Sequence, residues 1–461
     1  MSLWGMLSSG TGPPGALVGR SGSIPISDFA CCSCLGGGLE LLRGRSVIIV
    51  ARDPVVAALA MVELDGVARR LVLCPPDLAP EHLPSVIRDA EVEAWVGDDP
   101  AHRDEATRLG ISCAVFAQPI LVESAIRRLD SHESEWILFT SGTTGAPKLV
   151  VHSLSSLMSA IALSTRAHLD PTIWSTFYDI RRYGGLQILF RGLLGGSLVL
   201  ASPDETLAEF LDRAGRAGIT HISGTPSHWR KALINDAGAR ISPRVVRLSG
   251  EIADQAILDA LHVTFPGAAV GHAFASTESG VGFEVSDGLA GFPEQWVGTT
   301  LGNVEIELRE GTLHLRSPGN ARGYLAHEGS ALKGPDGFVD TGDLLERRDG
   351  RYLFTGRRGG VINVGGLKVH PEEVEAVINR HPWVRVSLVK ARRSPITGAV
   401  VAADVVLYSR PDADPPTEEA LRGEIFALCH ASLAKHKVPI SLRIVADLPV
   451  SAAGKLLRPN A

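Results

Sequence analysis

Apolar positions along this chain change period several times, and each change predicts a different kind of structure. Ser46-Val47-Ile48-Ile49-Val50 is a short unbroken apolar run of the buried-strand type. Residues 54–67 then carry apolar side chains at helical spacing up to a break at Gly66. Residues 71–74 and 94–96 are the next strand candidates, with a helix between them. This β-α-β-α order predicts a parallel sheet covered by helices. The rhythm resumes with a helix over 151–167, a strand over 197–200, a helix over 206–218 and a strand over 220–223. From about Gly298 short alternating segments, 304–308 and 312–315 among them, suit an antiparallel sheet.

A third pattern follows Gly356: a helix over 371–379, strands over 384–389 and 399–407, a polar Pro-rich loop over 411–416 and a helix over 418–433. The expected class is therefore α/β. A large domain, residues 1–357, combines helix-covered sheets with a small antiparallel or parallel β subdomain, and a mobile small α+β domain follows over 358–461. Up to about Pro25 the chain is rich in Gly, Ser and Pro and reads as a loosely ordered lead-in.

Charge narrows the class of partner. The chain has 461 residues with Lys+Arg 45 against Asp+Glu 51, a net charge of -6 and no basic block. Nothing here favours nucleic acid or an anionic membrane. No apolar stretch approaches the roughly 18–20 residues that span a bilayer, and the first residues lack a basic start followed by an apolar run. A cytoplasmic enzyme, monomeric or homodimeric, is the default expectation. Of the six cysteines only Cys31, Cys32 and Cys34 cluster, without the paired spacing or nearby ligands of a zinc site.

Chemistry concentrates in a few segments. The strand-like Ile137-Leu138-Phe139-Thr140 runs into Ser141-Gly142-Thr143-Thr144-Gly145-Ala146-Pro147-Lys148. Glycines let backbone N–H groups converge on an anion, the hydroxyls add donors and the lysine adds charge, which suits a polyphosphate as well as it suits an ordinary strand–helix turn. It is not a Walker loop, since Gly-Lys-Ser/Thr is missing.

The full string closely resembles the phosphate loop of the adenylate-forming superfamily, which holds the acyl- and aryl-CoA ligases, the peptide-synthetase adenylation domains and the luciferases. Further segments match in order. Ser249-Gly250-Glu251 resembles the family's adenine-binding loop. Phe274-Ala275-Ser276-Thr277-Glu278 resembles the segment whose aromatic lies by the adenine, whose Thr meets the α-phosphate and whose Glu holds magnesium, with Ala275 in place of the usual glycine. Thr341-Gly342-Asp343 resembles the motif whose Asp takes the ribose hydroxyls, and Gly356-Arg357 the pair that ends the large domain. Asp-Asp or a lysine usually follows as the interdomain pivot, whereas this chain has Arg358-Gly359-Gly360.

Gly365-Gly366 falls in a segment resembling the lining of the thiol tunnel, and Lys455, in Pro449 to Gly454-Lys455, resembles the mobile catalytic lysine. The resemblance places the acyl pocket near Phe177, Tyr178, Asp179, Arg181 and Arg182, together with Gly250 and Ala275. Asp179 could meet a substrate amine and either arginine a second anion. Lys435, His436 and Lys437 are weak candidates for docking the nucleotide of coenzyme A.

The resemblance implies ATP, magnesium and coenzyme A, and a carboxylic acid, compact and aromatic or otherwise functionalised, activated to acyl-AMP before transfer to a thiol. A stand-alone enzyme loading a carrier protein's phosphopantetheine is the alternative, and a nucleotide-binding pseudoenzyme the minor one. The match begins only near residue 44, so part of the amino-terminal subdomain is expected to be trimmed, exposing surface for a partner.

Overall fold

The computed structural model describes residues 1–9, 12–124, 128–140, 147–161, 172–325, 331–394, 398–408, 416–451 and 455–457. Among them the chain builds sheets of seven, eight, six and five strands, and one small pair. The expected parallel sheet forms from Arg70–Leu73, Ser46–Val50, Ala94–Gly97 and Cys113–Phe116, with Glu135–Thr140 parallel beside the first of these. The helix Pro54–Leu64 connects its first two strands. Asp53 caps that helix by accepting from the Val55 N–H, and Pro54 occupies the first turn, where no donor is needed. Residues Val55 to Leu64 are all buried, because this helix and Tyr183–Gly195 lie in the core between the seven- and eight-stranded sheets. A helix covered all round needs no polar face.

Two expectations are corrected. Residues 148–153 are not helical: Lys148–Ser153 is a strand antiparallel to Glu135–Thr140, with Lys148 opposite Thr140. The helix starts at Leu154, behind a capping box made by Ser153 and Ser156, and is described to Met158. The short apolar run Leu149-Val150-Val151 fits either period, and its β-branched residues settle in the sheet. The glycine-rich loop therefore joins two paired strands rather than a strand and a helix.

The amino-terminal segment is not a loose lead-in. Ser2 caps the helix Leu3–Ser8, and the Leu3 N–H donates to Asp65 Oδ2 at 2.7 Å. Ala16–Val18 joins the eight-stranded sheet parallel to Gly196–Val199. Leu3 and Leu17 are fully buried. These apolar anchors are spaced too irregularly to reveal themselves as a period, and they join the inter-sheet core.

The remaining strands follow the sequence closely. Val304–Arg309 and Thr312–Arg316 form the expected hairpin inside the six-stranded antiparallel sheet, which also takes Val339–Arg348 and Arg351–Arg357. Sheet membership then changes: Ile362–Val364 enters a separate five-stranded sheet with Leu367–Val369, Gly398–Leu407, Val384–Ser394 and Ser441–Ile444. The helices Pro371–Ile378 and Glu418–Ser432 cover that sheet through Val374, Val377, Ile378, Ile425 and Cys429, a core of its own.

Candidate functional site

Strand pairing assembles the phosphate side of the site. Thr140 and Lys148 face each other across the hairpin, while Ser141, Gly142, Thr143, Thr144 and Gly145 between them lie outside the described residues. On the other flank of Lys148–Ser153 runs the short strand Gly323–Tyr324. It places the Tyr324 ring under the Lys148 ammonium, 5.1 Å from nitrogen to ring centre, and the Tyr324 hydroxyl 3.5 Å from Glu278 Oε1. Burial, then the charge of Glu278, pushes the Tyr324 hydroxyl up to about 12, so it remains a neutral donor. Nothing in the local sequence marks Tyr324; only the pairing reveals it.

His152 is the second residue the motifs missed. It is fully buried, with Nε2 2.7 Å from the Thr277 carbonyl oxygen and Nδ1 2.9 Å from Ser156 Oγ. Burial lowers its pKa to about 4, so the ring is neutral: Nε2–H donates to Thr277 and Nδ1 accepts from Ser156. The imidazole thereby fixes the Thr277-Glu278 backbone, aided by the Ala321 N–H donating to Glu278 O at 2.9 Å. Ser276 Oγ is engaged locally, 2.8 Å from Ser279 Oγ. Among the described residues no three His, Cys, Asp or Glu side chains converge as a metal cage. Glu278 suits a magnesium that takes its other ligands from phosphate oxygens.

Asp343 and Arg357 are cross-strand partners, with Arg357 Nε donating to Asp343 Oδ1 at 3.2 Å. Asp343 Oδ2 is buried and accepts no hydrogen bond from the protein. Burial raises the pKa of this carboxyl against the pull of Arg357, while the Asp343 charge raises that of Arg357. One oxygen of Asp343 is thus held by the arginine and the other is left for a hydroxyl donor, which fits half of the expected ribose contact.

Opposite them, the strand Val245–Ser249 ends in a turn at Gly250, whose φ of +86° favours glycine. The Lys455 stem lies over this turn, its Cε 3.4 Å from where a Gly250 Cβ would stand. Lys455 is exposed to the cleft, yet protein crowds its ammonium. That desolvation and then the charge of Arg357 lower its pKa, with Arg182 adding to them and Glu251 and Asp343 opposing. The Tyr178 hydroxyl donates to the Ser249 carbonyl at 2.9 Å, tying the expected acyl pocket to the same turn. Phe274 stacks between Phe354 and Phe283, at centroid distances of 5.3 and 5.7 Å, which fixes its strand, while Ala275 packs against the inter-sheet core.

Several expected site residues turn out to be engaged elsewhere. The Phe177 ring, half-buried, packs edge-on against Phe210 and Trp229 of the core beneath the eight-stranded sheet, which holds most of its surface there. Asp179 and Arg181 neutralise each other in a buried two-pronged pair, and Arg181 also donates to the Ala51 carbonyl. Neither is left for a substrate charge. Arg182 donates to Asp77 through Nη2 while its buried Nε has no protein acceptor, so of the two arginines it is the one with a donor to offer. Both Glu251 side-chain oxygens accept from backbone, Oε2 from Ser227 and Oε1 from Leu456, which leaves only the backbone of this turn for the base, as the resemblance implies. Gly365 and Gly366, with φ of +58° and +90°, form the exposed tip of the hairpin between Ile362–Val364 and Leu367–Val369. Lys437 is held by both oxygens of Glu373 at 2.7 Å, which weakens it as a dock for coenzyme A.

An α/β large domain, a small domain closing over it, and a cleft where a lysine, an Asp–Arg pair and a Lys–Tyr–Glu cluster meet define a nucleotide-dependent enzyme of the adenylate-forming type. The chain belongs to the AMP-binding enzyme family: it matches that family over residues 44–330 and the AMP-binding enzyme C-terminal domain over residues 373–455. It is 28% identical over 449 residues to the 2-succinylbenzoate--CoA ligase of Bacillus cytotoxicus, covering 91% of this chain and 88% of the relative. In fold it resembles the o-succinylbenzoate CoA synthetase of Bacillus subtilis in complex with its acyl-adenylate intermediate, with TM-score 0.75 and 20% identity over 99% of this chain and 96% of that one. It is also similar to a benzoate CoA ligase from Burkholderia xenovorans, with TM-score 0.80 and 20% identity over 99% and 98% of the two chains. No helix among the described residues is long and apolar enough to cross a membrane.

Proposed function

We propose that this protein activates an aromatic carboxylic acid with ATP and passes the acyl group to coenzyme A. The observation that carries the reading is the meeting of Lys455 with the Asp343–Arg357 pair around the Gly250 turn, in a chain whose relatives are named as ligases of this kind. In the first half-reaction a carboxylate oxygen attacks the α-phosphorus, and pyrophosphate leaves with the bonding electrons. Asp343 Oδ2 accepts from the ribose, and Lys148 and Lys455 face the phosphate charge as it moves onto pyrophosphate. Magnesium, held through Glu278, supplies charge neutralisation on the phosphates. In the second half-reaction a thiolate attacks the acyl carbon and AMP leaves. The Gly365-Gly366 tip is exposed to solvent here, and a turn of the small domain would bring it to the acyl group.

Tyr178 beside the Gly250 turn and the free donor of Arg182 favour an aromatic acid with a second polar or anionic group. One observation keeps the carrier-protein acceptor as a second reading: Lys437 is taken by Glu373, which leaves no strong cationic dock for coenzyme A in its segment. The test is acid-dependent ATP–pyrophosphate exchange over a panel of aryl and amino acids, followed by thioester formation with coenzyme A or a carrier protein. No exchange with any acid overturns the ligase reading, and exchange with thioester formed only on the carrier protein overturns the choice of acceptor.

A further inference from the structure

The six-residue turn that leads from Ser249 to Asp254 touches far more than a base would require. At one end it closes the strand Val245–Ser249, and at the other Asp254 caps the helix Gln255–Thr264, its side chain accepting from the Ile257 N–H at 3.0 Å. Between and beyond these roles, two of its side chains receive the small domain. Glu251 Oε2 accepts from the Ser227 N–H at 2.9 Å, at the start of helix Pro226–Ile234, while Oε1 accepts from the Leu456 N–H at 3.0 Å. Leu456 is the residue next to Lys455, so this one bond sets where the lysine enters the cleft. Asp254 Oδ2 accepts from Arg230 at 2.6 Å and from Asn379 Nδ2 at 3.0 Å. Asn379 ends the first helix of the small domain, and its own oxygen accepts from Ser387 Oγ at 2.9 Å.

We propose that this turn is a docking platform for the small domain, and that Asn379 and Glu251 are positioning residues that hold Lys455 for acid activation and release it for thiol transfer. The inference rests on the proposed two-step reaction. The chain Arg230–Asp254–Asn379–Ser387 crosses the domain boundary with a charge-assisted bond at one end, and such bonds are stronger than neutral ones. Glu251 is a second anchor on the same turn. Two anchors on one short rigid segment define an orientation, which one would not. Tyr178 reaches the same turn from the acyl side through Ser249 O, so nucleotide, acid and domain position all bear on one stretch of backbone.

Asn379 touches no reacting atom, which makes it the residue to change. Asn379→Ala removes the donor, and Asn379→Asp sets a carboxylate against Asp254. Acid-dependent ATP–pyrophosphate exchange is expected to fall several-fold in the first and ten-fold or more in the second. Transfer to the thiol from supplied acyl-AMP should stay within two-fold of the parent in both. Equal losses in both half-reactions, which a merely structural role would cause, or no loss in either, overturn the proposal. Small-angle X-ray scattering of the ATP-saturated proteins reads docking without turnover: Asn379→Asp should give a more extended particle than the parent, and superimposable curves count against the platform. Absence of exchange in the parent would instead sink the ligase reading, so the two failures are told apart.

Discussion

Asp343 offers the sharpest quantitative test of the nucleotide site, because its two oxygens have different fates. Oδ1 is held by Arg357 at 3.2 Å, and Oδ2 is buried without a protein donor. In Asp343→Asn the arginine retains the amide oxygen as its acceptor, so the NH2 group is turned toward the position of Oδ2. An acceptor for the ribose becomes a donor. A hydrogen bond to a charged group contributes about 1.5–3 kcal/mol, so the Michaelis constant for ATP should rise roughly 10- to 150-fold at 1.36 kcal/mol per decade. The assay is pyrophosphate exchange with ATP and with its 2′- and 3′-deoxy analogues. One of the analogues should carry the same penalty in the parent and nearly none beyond it in the variant, because the lost bond is the same bond. If the substitution and the missing hydroxyl multiply their penalties for both analogues, Asp343 does not bind the ribose.

Three further outcomes follow from the same geometry. Lys455 must be protonated to meet the phosphate charge, and desolvation lowers its pKa, so acid activation should be lost as pH rises through a value below the ordinary lysine range; a rate flat to about pH 10 would contradict this. His152 is held neutral with a pKa near 4 against 6.5 unfolded, so the unfolded chain takes the proton first and stability is lost as pH falls from about 6.5 toward 4. The loss from this residue is on the order of 3 kcal/mol, and His152→Gln should flatten that part of the urea-denaturation profile between pH 7 and 4. Gly356→Ala should cost about 1–3 kcal/mol in denaturant unfolding, since its φ of +140° strains any residue with a Cβ, while the nearby Glu372 carboxylate can swing aside.

How much of this was legible depends on whether the signal is local. The parallel strands around Ser46–Val50 and the hairpin at Val304–Arg309 follow from apolar period, because burial on two faces or on one writes itself into consecutive residues. Leu3 and Leu17 are as buried as any strand residue, yet a single anchor per short element leaves no period to read. The motif residues Lys148, Glu278, Asp343 and Lys455, far apart in sequence, are linked through neighbours: Tyr324 lies between Lys148 and Glu278, and Arg357 feels the charges of Glu278 and Asp343 and bears on Lys455. Tyr324, His152 and Asn379 carry no motif, since each acts through a pairing or a packing that only the folded chain creates. Asp179 and Arg181 show the converse failure: opposite charges two residues apart invite a functional reading, and folding uses them on each other.

The linker between the domains can be argued from what its glycines do not do. Arg358 Nη2 donates to Thr312 Oγ1 at 3.1 Å and Asp340 Oδ2 at 3.0 Å, so the chain is tied to the large domain up to that residue, and Ile362 already belongs to the small domain's sheet. Only residues 359–361 are left to carry a change of angle. Neither Gly359 nor Gly360 has a positive φ, and a Cβ at either would meet no atom within 4 Å. Two glycines that the docked arrangement does not require add backbone entropy to the unfolded chain for no gain there. Their freedom acquires a use only in a second arrangement, and the proposed transfer step supplies one, in which the exposed Gly365-Gly366 tip would approach the acyl group. The double substitution Gly359→Ala with Gly360→Ala should therefore leave stability unchanged or raise it by about 0.4–1 kcal/mol per site, keep pyrophosphate exchange, and slow thioester formation. Unchanged transfer in the double variant would show that the turn is made elsewhere.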